Sequence, residues 1–242
     1  MIIRNAIWCL IPARSGSKTL KNKNIRILGK YPLFIHSFIT AKKIKKISKI
    51  YLSTDSVKYK NIANEYNFKD VHIRSRKNSA DNSSDLDVFK EFLNYIKENF
   101  NKMPEFIIHF RPTIPLRNQK RVIGAINSFL SNKRKYSSLK SVSKFKTDNY
   151  KNSFIIKKKR LVPLAGPTKS IDYFNLPRQN YPISYFGNGI VDIYKTKNIL
   201  FKNTLYGKKV LPYVLEDPSY DIDTLDDFKN VKKFYEIKKI SS

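Results

Sequence analysis

The sequence predicts an α/β fold, a Rossmann-like, mostly parallel sheet with helices packed against it. Three observations lead there. Short apolar runs, Ala6–Ile11, Lys49–Asp55 and Phe106–Phe110, end in polar turns. Between them lie segments whose apolar residues recur with the helical period. Strands that alternate with helices pair in parallel, with ligand-binding loops at their carboxyl ends. At 242 residues and 41% hydrophobic content the chain is long enough for one sizeable domain, 1–242.

The elements follow in order. Ala6–Ile11 is apolar on both faces, as a buried strand must be, and is too short to span a membrane. It breaks at Pro12 into a loop carrying Arg14, Ser15, Gly16, Ser17, Lys18, Lys21 and Lys23. Leu33, Phe34, Ile35, Phe38, Ile39 and Ile44 then mark an amphipathic helix. The second strand, Lys49–Asp55, leads to a helix over Val57–Tyr66, with Asp55 or Ser56 as its cap. Val71–Arg74 is a third strand, and the polar loop Arg76–Ser84 opens a helix over Asp85–Phe100. Phe106–Phe110 is the fourth strand, followed by a helix over Gln119–Leu130. Regularity fails between Val142 and Tyr185, apart from a short strand at Phe154–Ile156. Strands at Ser184–Tyr194 and Val210–Leu215 and a helix over Leu225–Ile237 close the chain.

Composition excludes several classes. A single cysteine, Cys9, leaves no intrachain disulfide or cysteine-based zinc cluster, and its place in the first strand makes it a buried structural thiol. No run approaches a transmembrane span and the amino terminus has no signal-peptide pattern, so a cytoplasmic protein with no membrane partner is expected. The formal charge of +29 points toward nucleic acid. Yet the lysines lie in separate segments, and no zinc-finger spacing or RNP-type aromatic motif accompanies them. A non-catalytic, basic nucleic-acid-binding protein is kept as the alternative from another class.

The loop after the first strand suits a polyphosphate. Gly and Ser let backbone N–H groups approach phosphate oxygens, and Lys and Arg compensate the charge. It fits neither the Walker pattern nor G-x-G-x-x-G. Taken by charge alone, it could equally be a solvated basic turn. Asp221 and Asp223 lie two apart, so on an extended segment both carboxylates face one side and suit Mg²⁺. Helix capping is the competing role for such a pair, with Asp223 and Thr224 capping and Asp221 left for metal. His36, His72 and His109 read as helix-face or strand-end residues.

Six ordered blocks resemble the cytidylyltransferases that activate sialic-acid-like sugars. They are IPARSGSKTLKNKNI, Ser53-Thr54-Asp55, Asp81–Leu86, His109–Arg117 (HFRPTIPLR), Gly187–Asp192 and Asp221–Thr224. The resemblance covers most of the chain and implies a GT-A-like nucleotidyltransferase. The implied reaction transfers CMP from CTP to a nonulosonic acid, with Mg²⁺ as cofactor and release of pyrophosphate. A 3-deoxy-manno-octulosonate cytidylyltransferase is the neighbouring alternative.

The same resemblance implies the roles. Arg14, Lys23 and Asp223 would be catalytic. Leu10, Ala13, Arg14, Ser17, Lys18, Asn24, Arg74 and Ser84 would bind the nucleotide. Arg111, Thr113, Arg178 and Asn188 would bind the sugar, and Asp221 and Asp223 the metal. Arg111 stands where the sialic-acid branch has Gln, as in the legionaminic-type branch, and would offer a guanidinium fork to an acid sugar. Residues 143–183 would form a dimerisation and substrate arm of a homodimer, with Arg178 reaching the neighbouring site. Thr19 replaces the usual Gly after Ser-Lys; were its φ positive, the strain would be about 1 kcal/mol or more.

Overall fold

The computed structural model describes residues 1–145, 154–164, 176–216 and 219–240. β1 (Ile2–Pro12) runs through the middle of a seven-stranded sheet, because its two faces are apolar on both sides. Ile7, Cys9 and Ile11 point into one core and Trp8 and Leu10 into the other. β4 (Lys49–Thr54) and β5 (Val71–Ile73) extend the sheet on one side, and β6 (Met103–His109) lies on the other. All of these pair in parallel. Beyond β6 come β10 (Tyr185–Lys195), β7 (Ser138–Lys144) and β11 (Val210–Val214). Only β10 runs antiparallel to its neighbours within this sheet.

Helices cover both faces. α1 (Leu33–Lys42), α2 (Val57–Glu65) and α4 (Gln119–Asn132) pack on the face of Ile7, Cys9 and Ile11 through Phe34, Phe38, Tyr59, Val122, Ile126 and Phe129. α3 (Asp85–Phe100) and α5 (Thr196–Lys202) pack on the other, through Phe89, Phe92, Leu93, Ile96 and Ile199. Caps set the helix starts. Ser56, not Asp55, caps α2, accepting from the Tyr59 N–H at 3.3 Å, while Ser84 caps α3 and Asn118 caps α4. α6 (Leu225–Ile240) sits on a satellite core of Leu20, Leu28, Leu33 and Ile222 through Val231, Phe228 and Tyr235. Two small antiparallel pairs stand outside the main sheet, β2 (Ile27–Leu28) with β3 (Tyr31–Pro32) and β8 (Phe154–Lys157) with β9 (Arg160–Pro163).

The structure departs from the sequence reading at several points. β1 begins at Ile2, and Arg4-Asn5 is a bulge inside it: Asn5 takes φ 60° and the register with β6 shifts between Ile3 and Ile7. β7 and α5 were not expected. β7 hides its burial in serines: Ser138 donates to the Tyr206 carbonyl at 2.6 Å, and Ser141 accepts from the Val191 N–H at 2.9 Å. Left-handed backbone falls repeatedly on asparagine, at Asn5, Asn22, Asn67, Asn101 and Asn203. Among the described residues no helix is long and apolar enough to cross a membrane.

His72, buried between β5 and α3, shares a hydrogen bond between Nδ1 and Ser53 Oγ (3.1 Å) and packs on the Phe92 and Tyr95 rings. Burial holds its pKa down to about 4, with Glu91 opposing. The unfolded chain, with a histidine pKa near 6.5, therefore binds more protons between these values, and stability falls as pH drops through that window. Urea unfolding should show a loss of about 3 kcal/mol from this residue by pH 4. The slope should flatten in His72→Gln.

Candidate active site

The order of the sheet reverses at β1: the chain goes from β1 to β4 and β5 on one side, then to β6 on the other. A crevice at the carboxyl ends of the strands is the expected outcome at such a switch point. A cleft of about 550 Å³ lies there. The loop after β1 contributes Arg14, Ser17, Lys18, Thr19, Lys23 and Asn24, the segment from β5 to α3 contributes Arg74, Asp81, Ser83 and Asp85, and the end of β6 contributes His109, Arg111 and Thr113. Asp223 closes it from the segment before α6.

The loop is held by its backbone. The Ala13 N–H donates to the Ser53 carbonyl at 2.8 Å, and Asn24 Nδ2 donates to the Arg14 carbonyl at 2.8 Å. Asp55 accepts both the Ser15 N–H (2.8 Å) and the Ser15 hydroxyl (3.0 Å), so a serine at this position ties the loop to the end of β4. The left-handed residue is Asn22 (φ 57°), not Thr19, and the strain considered for Thr19 does not arise.

Three cations of the loop, Arg14, Lys18 and Lys23, meet carboxylates. Arg14 Nη1 lies 2.7 Å from Asp81 Oδ1, Lys18 pairs with the other oxygen of Asp81, and Lys23 Nζ lies 2.9 Å from Asp223 Oδ1. Hydrogen bonds from Lys18 and Arg14 hold the Asp81 carboxyl below the usual range. Arg74, buried, donates to the Ser53 carbonyl (3.0 Å) and the Asn78 carbonyl (3.3 Å), while its Nε has no protein partner. Its burial lowers its pKa against the pull of Asp55 and Glu91.

At the other end, Arg111 Nη1 donates to Asp192 Oδ2 at 2.7 Å and Nη2 to Asp85 Oδ2 at 3.2 Å. Burial opposes its charge, but the Asp192 carboxylate more than offsets that and raises its pKa. Arg117 lies beneath the loop 111–117. It donates to the Ile190 carbonyl (2.8 Å), Ser37 Oγ (2.9 Å), the Arg111 carbonyl (2.7 Å) and the Ile114 carbonyl. His109 is buried and neutral, its pKa pushed well down by burial and then by Arg111 and Arg117.

Ile222 explains the two carboxylates beside it. Its side chain is fully buried in the satellite core and its N–H donates to the Thr113 carbonyl at 2.9 Å. Extended backbone then turns Asp221 and Asp223 outward together. Partial desolvation, and next the Asp223 charge, raise the Asp221 pKa, while a hydrogen bond from Thr113 opposes them. Thr224, rather than Asp223, caps α6, in a reciprocal pair with Asp227: the Asp227 N–H donates to Thr224 Oγ1 (3.2 Å) and Thr224 N–H to Asp227 Oδ2 (2.8 Å). Among the described residues no three His, Cys, Asp or Glu side chains converge on one point.

Of the residues predicted from the sequence, Arg14, Ser17, Lys18, Lys23, Asn24, Arg74, Arg111, Thr113 and Asp223 line one cleft. Asp221 borders it through Thr113. Leu10 and Ala13 are buried behind it, and the Ser84 hydroxyl is engaged with Asp87 at the α3 cap. Asn188 is buried against Ser143, with its carbonyl accepting from Ser219 Oγ. The Arg178 side chain lies outside the described residues. Asp55, Asp81, Asp85 and Asp192 were not singled out. All four stand in motif blocks, where a carboxylate beside a cationic loop was the available signal.

Comparisons with known proteins agree on one family. The cytidylyltransferase family model matches residues 8–238. A CMP-N,N'-diacetyllegionaminic acid synthase of Campylobacter jejuni is 30% identical over 97% of this chain and 97% of its own length. An N-acylneuraminate cytidylyltransferase of Escherichia coli is 29% identical over 94% of this chain, which spans about half (51%) of that protein. In structure, the fold is similar to a CMP:2-keto-3-deoxy-manno-octonic acid synthetase, with a TM-score of 0.70 at 12% identity over 96% of this chain and 99% of the other.

Arg117 gives a direct test of the cleft floor. Arg117→Met would remove this donor from three buried carbonyls, one on β10 and two in the loop 111–117, and from the Ser37 hydroxyl. Urea denaturation should register a loss of about 3 kcal/mol or more.

Proposed function

The chain belongs to the cytidylyltransferase family, and from that premise we propose that it transfers CMP from CTP to the anomeric hydroxyl of a nonulosonic acid, sialic, legionaminic or related, with release of pyrophosphate. The observation that carries the reading is the run of cations from Arg14 through Lys18 to Lys23, facing Asp223 across a cleft that ends in Arg111. One wall suits a triphosphate and the far end suits an acid sugar. The relatives named for legionaminic and neuraminic acid support the substrate class.

Arg14 and Lys18 sit where they can exchange Asp81 for phosphate oxygens, and Lys23 can exchange Asp223 in the same way. Cations already in place would stabilise the charge that builds on the departing pyrophosphate. The buried Arg74 Nε, a donor without a protein partner on the cleft wall, suits an acceptor on the cytosine ring. Asn24 and Ser83 line the nucleotide side, and we keep Ser84 as a further contact. Arg111 and Thr113 face the sugar, and we keep Asn188 and Arg178 as its further contacts. No histidine serves as the base in this reading, since burial and the Arg111 charge leave His109 a weak proton acceptor and its Nδ1 is shared with Tyr194.

Asp221 and Asp223 would hold Mg²⁺. Two hard-oxygen ligands on one side match an ion that keeps most of its water and takes phosphate oxygens, and Lys23 Nζ 2.9 Å from Asp223 marks a place where a cation is welcome. Bound there, the ion would supply charge neutralisation at the phosphates. The protein groups do the rest: they bind, align the attacking hydroxyl with the α-phosphorus and shield the cleft. Such a CTP-dependent enzyme fits the cytoplasm.

The arm supports a homodimer. β8 and β9 form a hairpin outside the main sheet with Ile155, Ile156, Leu161 and Leu164 exposed, Ile156 by 80%. A lone hairpin with an open apolar face gains stability by covering it, here with the arm or body of a second copy.

Pyrophosphate release should be measured with CTP, Mg²⁺ and, in parallel, N-acetylneuraminate, legionaminate, pseudaminate and the octulosonate. Turnover with a nine-carbon acid is expected; turnover with the octulosonate alone would move the protein to the neighbouring activity. Asp221→Ala and Asp223→Ala should each lower kcat at least 100-fold, and chelation of the metal should do the same; intact turnover in both variants would sink the reading. Light scattering should give a dimer mass for the wild type and weaken it at least tenfold in Ile156→Glu.

A further inference from the structure

Both ends of the Arg111 guanidinium are occupied, by two carboxylates of different kinds. Asp192 on β10 is 0% exposed and stands opposite His109 in the sheet register. Its Oδ2 accepts from Arg111 Nη1 (2.7 Å), the Tyr206 hydroxyl (3.1 Å) and the Tyr194 hydroxyl (3.4 Å), with Lys140 Nζ at 3.9 Å. Asp85, in the first turn of α3, lines the cleft with its side chain half exposed and meets Arg111 Nη2 at 3.2 Å. A dry carboxylate surrounded by donors is fixed, because leaving would strand a buried charge. A rim carboxylate in contact with water exchanges readily.

We propose that Asp192 is a positioning residue for acid-sugar recognition: it fixes one Nη of Arg111 so that the other faces the cleft, where Asp85 holds the place taken by the sugar's carboxylate. This rests on the nonulosonic-acid reading above. The chemistry discriminates among sugars without a shape-fitting pocket. An anionic sugar replaces one carboxylate by another at Nη2 and keeps Arg111 neutralised on both sides. A neutral sugar would have to leave Asp85 in place or leave half of the fork bare. The Tyr206 hydroxyl, itself 2.7 Å from Lys140 Nζ, extends the support behind Asp192, so the orientation of Arg111 is set by β7, β10 and the segment after α5 rather than by its own loop.

The test is the KM for sugar set against the KM for CTP in the pyrophosphate-release assay. Asp192→Asn should raise the sugar KM at least 30-fold and leave the CTP KM within twofold, which also reports that the cleft is folded. Asp85→Asn should lower the sugar KM about threefold. Because Asp192→Asn leaves Arg111 partly buried without its anion, Tyr206→Phe provides a milder variant, expected to raise the sugar KM 3- to 10-fold at unchanged CTP KM. The proposal is overturned if the sugar KM stays within threefold in Asp192→Asn, or is unmoved in Tyr206→Phe. It is also overturned if CTP and sugar KM rise together, or if Asp85→Asn weakens the sugar. A wild-type enzyme that binds CTP and turns over no acid sugar would instead count against the functional reading, before any variant is compared.

Discussion

A charge buried without an ion-pair partner among the described residues organises the cleft. The Arg117 guanidinium donates to Ser37 on α1, to the Ile190 carbonyl on β10 and to the Arg111 and Ile114 carbonyls of its own loop. Burial pushes its pKa down to about 9. Its ring-like plane also lies over Phe110, 4.5 Å from the ring centroid. Taking a guanidinium out of water is costly unless every donor is used. Here the cost is offset by closing a loop whose carbonyls would otherwise be buried and unmet. The loop after β6 is consequently a rigid platform, and Arg111, Thr113 and, through Thr113, the Asp221–Asp223 segment are placed by it.

The sequence disclosed the cleft better than the sheet. The strand–loop unit at Ala6–Ile25, the parallel strands at Lys49 and Phe106 and the helices at Asp85 and Gln119 were all readable, because apolar period and cap residues coincide there. What failed to show was burial carried by polar atoms. Ser138 and Ser141 are core residues of β7 whose hydroxyls serve neighbouring backbone groups, and a pattern of Ser and Lys gives no alternation to read. The site had the same blind spot. Its cations stood out by charge, whereas Asp81 and Asp192 could be recognised as their partners, and Asp55 as the anchor of Ser15, only once sequence separations of 67, 81 and 40 residues were closed in space.

Within the cleft, carboxylates stand where anions belong. Asp81 holds Arg14 and Lys18, Asp223 holds Lys23, and Asp85 holds one end of Arg111. Exposed pairs of this kind contribute little to stability. Their effect is on the shape of the charge: long cationic side chains that would otherwise sample many rotamers are kept near working positions. Binding then becomes an exchange of partners instead of an ordering of free side chains, which reduces the entropic cost of assembling the site.

The left-handed asparagines bear on how this chain can drift. Asn and Lys codons are built from A with little G or C, and Gly codons are the reverse, so a coding bias toward A and T steadily pushes glycine out. Five of the left-handed positions carry Asn, which tolerates φ near +55° and keeps the turn where such a bias disfavours glycine. The glycines that remain at positive φ are of another kind. A Cβ at Gly29 would lie 2.2 Å from the Tyr235 ring, at Gly189 2.6 Å from Ile114 and at Gly207 2.8 Å from Ser137. A side chain can therefore replace glycine at this protein's turns only where a Cβ has room, and not where α6, the cleft loop and the residue before β7 are packed against bare backbone.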